Sequence, residues 1–302
     1  MSSSVGIGIG SAVIGLLVGL TGMGGGALMT PMLVLVFGIS PSAAISSDLV
    51  AALFMKPIGV AMHWRRGTIQ WPIVRWLCYG SVPAAFVGTY VMHLLGSAKS
   101  SEVVLQRILG GALIIGAASI IARSLFKKDT VVGVVRPSRP LATILIGAVG
   151  GFMVGLTSVG AGSLILVLLL TIYPQLKNQQ LIGTDLTQAL PLTLAATLGT
   201  FLFGQVSWAV TLPIIIGSVP AVLLGSWFSS KELSSHLRPV IFAVVLLSGL
   251  KYVGLPIQAL GVAALVAIVA TSLILFRSRK NKHQGQLENL NNESALSGSP
   301  TT

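Results

Sequence analysis

Two aspartates lie in apolar parts of a chain that has only seven Asp and Glu residues. Asp48 and Asp185 occur in matching contexts, I-S-S-D-L and I-G-T-D-L. Carboxyl groups inside apolar membrane segments are costly and usually face a partner or water. We interpret both as ion-coupling residues, each of which could hold a proton or help arrange the site by hydrogen bonds to the glycine breaks. The competing interpretation is helix N-capping, in which an Asp side chain accepts hydrogen bonds from first-turn amides.

A lysine follows the first aspartate along the same apolar stretch. Lys56 comes about two helical turns after Asp48, so we expect the two side chains on roughly the same helix face. A basic group there could attract an anionic substrate or pair with the aspartate. The alternative is that the long side chain extends toward Arg65 and the membrane surface.

A glycine-rich block occurs twice, as L-T-G-M-G-G-G-A-L at residues 20–28 and L-T-S-V-G-A-G-S-L at residues 156–164. A helix that starts after a glycine break presents free N–H groups and the positive end of its dipole, which favour a small oxyanion. The hydroxyl groups in these blocks could donate further hydrogen bonds. Close helix packing through small residues is the alternative, and it suits Gly15 and Gly19 better. The predicted substrate-binding residues are Thr21, Gly24, Gly25, Gly26, Thr157, Ser158, Gly160, Gly162 and Lys56.

The composition is that of an integral membrane protein. Hydrophobic residues make up 53% of the chain and charged residues 9%, whereas soluble domains carry about 25% charged residues. The basic residues lie between apolar runs, which indicates cytoplasmic loops rather than a nucleic-acid surface. One cysteine excludes a cysteine-based metal cluster or an intrachain disulfide. We see no catalytic residues, metal site or cofactor motif and expect no enzyme.

The repeat predicts an all-α integral membrane protein with two inverted repeats. Each repeat is predicted to contain a re-entrant broken-helix hairpin and three transmembrane helices, with one extra C-terminal transmembrane helix. The second hairpin arms, at residues 27–37 and 163–173, reach only about 16 Å, too short to cross. The first arms are predicted as half-helices at residues 5–20 and 141–156. The full crossings are predicted at residues 42–64, 72–95, 103–126, 181–203, 209–229 and 237–254.

The predicted division of the chain follows this plan. Residues 1–126 form the first membrane repeat and residues 141–254 the second. The basic residues 127–140 form a cytoplasmic linker between them. Residues 255–276 form the extra transmembrane helix, and residues 277–302 a disordered cytoplasmic tail.

Basic residues set the expected orientation. Arg65 and Arg66 follow the first full crossing, and the linker and the end of the last crossing are also basic, so all three belong in the cytoplasm. The turn equivalent to Arg65 and Arg66, at residues 204–208, is neutral and is expected outside. Equivalent turns on opposite sides predict inverted repeats, which are typical of secondary transporters. The C-terminus is expected in the cytoplasm.

At these residues the chain resembles the TauE/SafE sulfite-exporter family, also called the toluene-sulfonate uptake family of permeases. The resemblance rests on the two glycine blocks, on the I-S-S-D-L and I-G-T-D-L segments and on the twin G-S-V-P-A segments, and it covers roughly residues 10–255. It implies a bacterial inner-membrane transporter of sulfite, sulfonates or related small organic anions, coupled to an ion gradient. The second block departs from the first at Ser158 and Ala161, which puts equal roles for the two halves in question.

Three functions remain open from the sequence. The first is a secondary anion transporter with alternating access, whose partners are a small anion, the lipid bilayer and a coupling ion such as a proton, with no nucleic acid. The second is a passive anion channel. The third is an intramembrane aspartyl protease with an aspartate dyad, although the expected G-x-G-D motif is missing. Substrate identity, direction of transport and oligomeric state stay open.

Overall fold

The chain folds into a bundle of helices. The computed structural model describes residues 2–22, 25–97, 99–125, 139–160, 162, 164–203, 206–228 and 231–256. These residues form ten α-helices and no β-strand, which confirms the predicted all-α class. The helices are α1 (Ser2–Thr21), α2 (Gly26–Leu35), α3 (Pro41–Arg65), α4 (Trp71–Gly96), α5 (Lys99–Leu125), α6 (Pro140–Thr157), α7 (Leu164–Ile172), α8 (Asn178–Phe203), α9 (Trp208–Trp227) and α10 (Lys231–Val253).

Six of the helices are long and apolar enough to cross a membrane, namely α1, α3, α5, α6, α8 and α9. Their outward faces carry large apolar side chains. On α1, Val5, Ile9 and Val13 follow one another at single-turn spacing and are 60%, 62% and 57% exposed. An apolar stripe of this size is stable against lipid but not against water. The protein is therefore a multi-pass membrane protein.

The first arms of the two predicted hairpins are longer than expected. We predicted half-helices at residues 5–20 and 141–156, whereas α1 has 20 residues and α6 has 18. The extension of α6 has a physical reason at each end: Pro140 is tolerated in the first turn because its missing N–H needs no partner there, and Thr157 bonds back to the carbonyl of Met153. The second arms, α2 and α7, have 10 and 9 residues and are as short as predicted.

The first helix of each repeat packs on the fourth helix of the other repeat, so that α1 lies along α9 and α6 along α4. A Cβ atom added at Gly15 would lie 2.6 Å from the carbonyl oxygen of Ser218. A Cβ at the equivalent Gly151 would overlap the carbonyl oxygen of Ser81, which is equivalent to Ser218. Backbones this close require glycine. The small-residue packing interpretation of Gly15 is therefore confirmed.

The equivalent helices α3 and α8 cross at the centre of the bundle and run antiparallel. The hydroxyl of Thr197 donates to the carbonyl of Leu49 at 3.2 Å, and a Cβ at Gly59 would lie 3.3 Å from Leu186. Residues later in α3 therefore contact residues earlier in α8. Two clusters of buried apolar side chains lie beside this pair. One joins α3 to α1, α2, α5, α9 and α10, and the other joins it to α4, α6, α7 and α8.

Several predicted features lie outside the described residues. These are most of the linker, the extra transmembrane helix apart from its first two residues, the whole tail, and Gly24 of the first glycine block.

Candidate functional site

The two glycine-rich blocks interrupt the helices at equivalent positions and with the same backbone conformation. Helix α1 ends at Thr21 and is followed by Gly22 with φ of 67°. Helix α6 ends at Thr157 and is followed by Ser158 with φ of 60°. A left-handed residue is a common way to end a helix, and glycine adopts it without strain. Ser158 adopts the same conformation with a side chain.

The breaks continue differently until each short helix begins. In the first, the carbonyl of Gly25 accepts hydrogen bonds from the N–H groups of Leu28 at 3.0 Å and Met29 at 2.9 Å, which starts α2. In the second, Gly160 and Gly162 have φ of 131° and 89°, a region that only glycine occupies readily. These glycines turn the chain from α6 into α7.

The two breaks contact each other in the interior of the protein. A Cβ atom at Gly26 would overlap the carbonyl oxygen of Ser158, so the backbones of the two blocks touch at this point. This contact joins residues of opposite repeats. A glycine at position 26 is required because any side chain would separate the breaks.

Asp48 is fully buried beside this contact. Its Oδ2 atom accepts hydrogen bonds from the hydroxyls of Ser158 at 2.7 Å and Thr30 at 3.0 Å. The residue is 0% exposed, and its Oδ1 atom is buried without a hydrogen-bond partner in the part of the chain that the structure describes. A buried acceptor without a donor is unfavourable, and more so when it carries charge. Asp48 therefore links α3, α2 and the second break through one of its two oxygens.

Asp185 has a different set of neighbours although it is 1% exposed and equivalent in sequence. Its Oδ1 atom accepts a hydrogen bond from Nε2 of Gln188 at 3.2 Å. The amide oxygen of Gln188 in turn accepts one from the hydroxyl of Ser81 on α4 at 3.1 Å. The glutamine thus holds Asp185 on the inner face of α8.

Neither aspartate caps a helix. Helix α3 begins at Pro41 and α8 at Asn178, and neither has an acidic residue in its first turn. Both carboxyl groups lie about two turns into their helices, where the backbone N–H groups are used within the helix. The N-capping interpretation is therefore wrong for Asp48 and Asp185, and burial with side-chain partners replaces it.

A cavity of about 80 Å³ opens beside the two breaks. Lys56 and Asp185 are its ionisable lining residues, and Lys56 interacts electrostatically with Asp185 and, more weakly, with Asp48. The rest of the wall is formed by glycines, by apolar groups and by Ser226. The other lining residues are Val18, Gly19, Gly22, Gly25, Ala52, Met55, Gly59, Gly162, Leu186, Ala189, Val222 and Ser226.

The predicted site residues lie in different parts of the structure. Lys56, Asp185, Gly25 and Gly162 line the cavity. Gly26 contacts Ser158, and Ser158 donates to Asp48, but these three residues do not line the cavity, and Gly160 lies in the second break against α6. Thr21 and Thr157 sit at the ends of α1 and α6, where their hydroxyls donate to the carbonyls of Leu17 at 2.7 Å and Met153 at 2.6 Å. No group of three or more metal-binding side chains occurs among the described residues.

The sequence analysis did not identify three residues of the hydrogen-bond networks around the aspartates, namely Thr30, Gln188 and Ser81. Thr30 is a polar residue in an otherwise apolar short helix, and this signal was available. Gln188 follows Asp185 by three positions, a spacing at which helical side chains meet. Ser81 lies in the first G-S-V-P-A segment, but its contact with Gln188 depends on the packing of α4 against α8. Local spacing does not predict such a contact.

Comparison with known proteins gives consistent matches along the chain. The family model described as "Sulfite exporter TauE/SafE" matches residues 7–252. The "Probable membrane transporter protein YjnA" of Bacillus subtilis is 39% identical over 250 residues, which are 80% of this chain and 96% of that protein. The "Probable membrane transporter protein YdhB" of the same organism is 24% identical, over 79% and 95% of the two chains. The "Probable membrane transporter protein y4hK" of Sinorhizobium fredii is 28% identical, over 83% and 98%.

No solved structure matches the chain. The family match covers both glycine breaks, both aspartates and the helices that hold them. The two Bacillus subtilis relatives are described as membrane transporters, and the matches cover nearly their whole length. This description agrees with the six helices that are long and apolar enough to cross a membrane. The protein is a member of the sulfite exporter TauE/SafE family of membrane transporters.

Proposed function

We propose that the protein is a secondary transporter of small anions, such as sulfite or a short sulfonate, which binds its substrate in the cavity beside the two helix breaks. The observation that carries the proposal is the position of Lys56, which lines a cavity formed by residues of both repeats. A lysine in a membrane interior is expensive and marks a substrate or ion pathway. Gly25 and Gly162 of the two breaks also line the cavity and are proposed to complete the binding site.

The size of the cavity supports a small substrate. About 10 to 15 Å³ is needed to hold one water molecule, so a cavity of about 80 Å³ has room for roughly five to eight groups of that size. Sulfite or a two-carbon sulfonate fits within this limit, whereas an aromatic sulfonate exceeds it. The apolar wall formed by residues such as Met55 and Leu186 suits a short alkyl group beside the anionic one.

The charges around the cavity support coupling to protons. With Asp48 and Asp185 both ionised, Lys56 compensates only one of the two carboxylates. A substrate anion would then add a second uncompensated negative charge to a buried region, which is unfavourable. Protonation of one aspartate removes that excess charge. Anion binding is therefore expected to favour proton uptake, and the two would move together.

The antiparallel crossing of α3 and α8 supports an inverted repeat. These helices are equivalent in sequence, and the contact of Leu49 with Thr197 and of Gly59 with Leu186 requires opposite directions. Inverted repeats around a midplane site commonly alternate access by moving one unit against another. We propose that the pairs α1–α9 and α4–α6 move as units, because their glycine-lined backbones are too close to slide freely.

The test is flux into proteoliposomes that contain the purified full-length protein. Uptake of sulfite, ethanesulfonate and 4-toluenesulfonate is measured with and without an imposed pH gradient, and then with an imposed sodium gradient. Saturable uptake of the two smaller anions, accelerated by the pH gradient alone, is the expected result. Faster uptake of toluenesulfonate than of ethanesulfonate would contradict the cavity argument.

Variants separate coupling from binding. Lys56→Gln is expected to weaken anion binding, while Asp48→Asn and Asp185→Asn identify the carboxyl that the pH gradient requires. Uptake that is indifferent to the gradient in the unaltered protein and in both aspartate variants would remove the coupling proposal. Flux that does not saturate, together with single-channel currents, would favour the channel alternative instead.

The packing gives no support to an aspartyl protease. A catalytic dyad shares one proton between carboxyl groups in direct contact. Asp48 adjoins Leu49, which meets Thr197, whereas Asp185 adjoins Leu186, which meets Gly59. From Leu49 to Gly59 the rise along α3 is roughly 15 Å, too far for a shared proton.

The proposed orientation places the turn between α3 and α4 and the C-terminus in the cytoplasm, on the basis of Arg65 and Arg66. The only cysteine, Cys78, is first replaced by serine to leave a cysteine-free background. Single cysteines are then introduced at Arg66 and at Val206, in the two equivalent turns. A membrane-impermeant maleimide added to intact cells should label only position 206. Labelling of both positions from the same side would contradict the inverted arrangement.

A further inference from the structure

The two equivalent aspartates differ in one respect that bears on proton binding. Oδ1 of Asp185 receives the amide hydrogen of Gln188, three residues further along α8. The position equivalent to Gln188 on α3 is Ala51, which has no donor, and Oδ1 of Asp48 is buried without a partner among the described residues. Asp48 thus has one oxygen saturated with hydroxyl donors and one oxygen that can accept a proton.

We propose that Asp48 is the proton-binding carboxyl group of this transporter, with the proton carried on Oδ1, and that Asp185 remains an ionised partner of Lys56. The inference deepens the proposed proton-coupled transport and rests on it for its functional meaning. The step is a proton transfer from a hydronium ion to the carboxylate of Asp48. One O–H bond of the hydronium ion breaks, an O–H bond forms on Oδ1, and a water molecule and a neutral carboxylic acid remain.

The surroundings of Asp48 contain few charges. Helices α2, α6, α8 and α9 carry a single ionisable side chain between them, that of Asp185, which faces Lys56. From α2 and from the second break, Asp48 receives only the neutral hydroxyls of Thr30 and Ser158. The ionisable side chains Arg75, His93, Glu102 and Arg107 lie on α4 and α5, and Lys56 on its own helix interacts with Asp48. Lys56 lines the cavity together with Asp185 and interacts more strongly with it, so Asp48 is the less compensated of the two carboxylates.

The site suits a proton better than a metal cation. A cation such as sodium needs several oxygen ligands around an accessible space, and Asp48 is not among the residues that line the cavity. The hydroxyl hydrogens of Thr30 and Ser158 point toward the carboxylate, as donors to an anion. Ala52, one helical turn beyond Asp48, does line the cavity, so Asp48 lies about one turn of α3 from it.

Infrared difference spectroscopy tests this assignment without any substrate. The purified full-length protein, reconstituted in lipid, is titrated with acid, and the C=O stretching band of a protonated carboxyl group is followed in water and in deuterium oxide. The chain has only seven acidic residues, which keeps the band assignable. The proposal expects a buried-carboxyl band that is lost in Asp48→Asn and retained in Asp185→Asn.

Two further variants keep the test valid if an aspartate variant fails to fold. Ser158→Gly removes one donor to Asp48 and should shift both the band and its titration midpoint. Gln188→Ala removes the donor to Asp185 and should leave the band unmoved. A band that follows Gln188 or Asp185, or that persists in Asp48→Asn, would overturn the assignment.

Flux measurements separate this inference from the proposed function. If the band belongs to Asp48 and no anion flux depends on pH, the proton site stands and the coupling proposal fails. If sulfite uptake is driven by the pH gradient and the band belongs to Asp185, the transport proposal stands and the assignment to Asp48 fails. Proton-driven uptake that is lost in Asp48→Asn, with the band assigned to Asp48, supports both. A sodium gradient that drives uptake, with no carboxyl band on acidification, would contradict the proton site.

Discussion

Ser158 is the residue at which the structure makes its sharpest energetic prediction. It has φ of 60° where the equivalent residue of the first repeat is Gly22 with φ of 67°. A non-glycine residue in this left-handed region carries about 1 to 2 kcal/mol of strain. Its hydroxyl, however, donates to Oδ2 of Asp48 at 2.7 Å. The serine is therefore expected to combine an unfavourable backbone conformation with a favourable contact between the repeats.

Two substitutions separate the backbone strain at Ser158 from its hydrogen bond to Asp48. Ser158→Ala keeps the strain and removes the hydrogen bond, whereas Ser158→Gly removes both. Glycine also increases the conformational entropy of the unfolded chain, which reduces its advantage by about 0.4 to 1 kcal/mol. The free energy of unfolding of Ser158→Gly should therefore exceed that of Ser158→Ala by about 0.5 to 1 kcal/mol.

The hydrogen-bond term depends on the charge of Asp48. A hydrogen bond to a charged group contributes about 1.5 to 3 kcal/mol and one to a neutral group about 0.5 to 1.5 kcal/mol. Both variants should lose less stability at a pH where Asp48 is protonated than at a pH where it is ionised. At the lower pH, Ser158→Gly should approach the unaltered protein, because strain relief offsets most of the smaller hydrogen-bond loss.

The assay is reversible unfolding in mixed micelles with increasing denaturing detergent, followed by tryptophan fluorescence and circular dichroism at two pH values. Gly22→Ala is the matched control, because a Cβ at Gly22 would meet no atom within 4 Å. It adds left-handed strain without a clash and should destabilise the protein by about 1 kcal/mol or less. If Ser158→Gly were no more stable than Ser158→Ala, the strain argument at this break would be refuted.

Three further predictions follow from the packing and the site. Lys56→Gln should raise the half-saturation concentration for sulfite about tenfold or more, because a charge-assisted hydrogen bond of about 1.5 kcal/mol or more is lost. Initial rates of uptake into proteoliposomes measure this concentration. An unchanged value would exclude Lys56 from the binding site. Gly155→Ala should destabilise the protein by about 1 to 3 kcal/mol, because the new Cβ overlaps the carbonyl of Ala85. Gly111→Ala, with no atom within 4 Å, should be neutral or stabilising in the same unfolding assay. Gln188→Ala should destabilise by about 1 to 3 kcal/mol by leaving buried polar partners unsatisfied, and equal stability would argue against its contact with Asp185.

Much of the fold could be predicted from the sequence because its signals are local or repeated. The ends of α3, α4, α8 and α9 follow from apolar runs bounded by turns. Each end of these four helices lies within three residues of its predicted position. The two breaks follow from the glycine blocks. The length of α1 could not be predicted from hydropathy, because its first residues are polar serines that still continue the helix.

The contacts within the site were less predictable because they join distant parts of the chain. The hydrogen bond from Ser158 to Asp48 links two repeats, so no spacing within one repeat indicates it. The departure of Ser158 from the glycine pattern is visible in the sequence and predicts unequal roles for the two halves, but it does not identify the partner of the serine hydroxyl. Helical periodicity predicts Lys56 on roughly the same face of α3 as Asp48; Lys56 lines the cavity, whereas Asp48 does not.

The differences between the two repeats follow from charge. If the repeats were identical with Lys56 absent from both, two carboxylates would be buried in the protein interior with no compensating lysine. Lysine at position 56, where the second repeat has Thr193, compensates one of them. Glutamine at position 188, where the first repeat has Ala51, supplies Oδ1 of Asp185 with a donor, whereas Oδ1 of Asp48 has none among the described residues. Under the proposed mechanism, both differences favour an ionised Asp185 and a protonated Asp48. The duplicated framework would then bind an anion beside one aspartate and a proton at the other, which is the separation of roles that coupled transport requires.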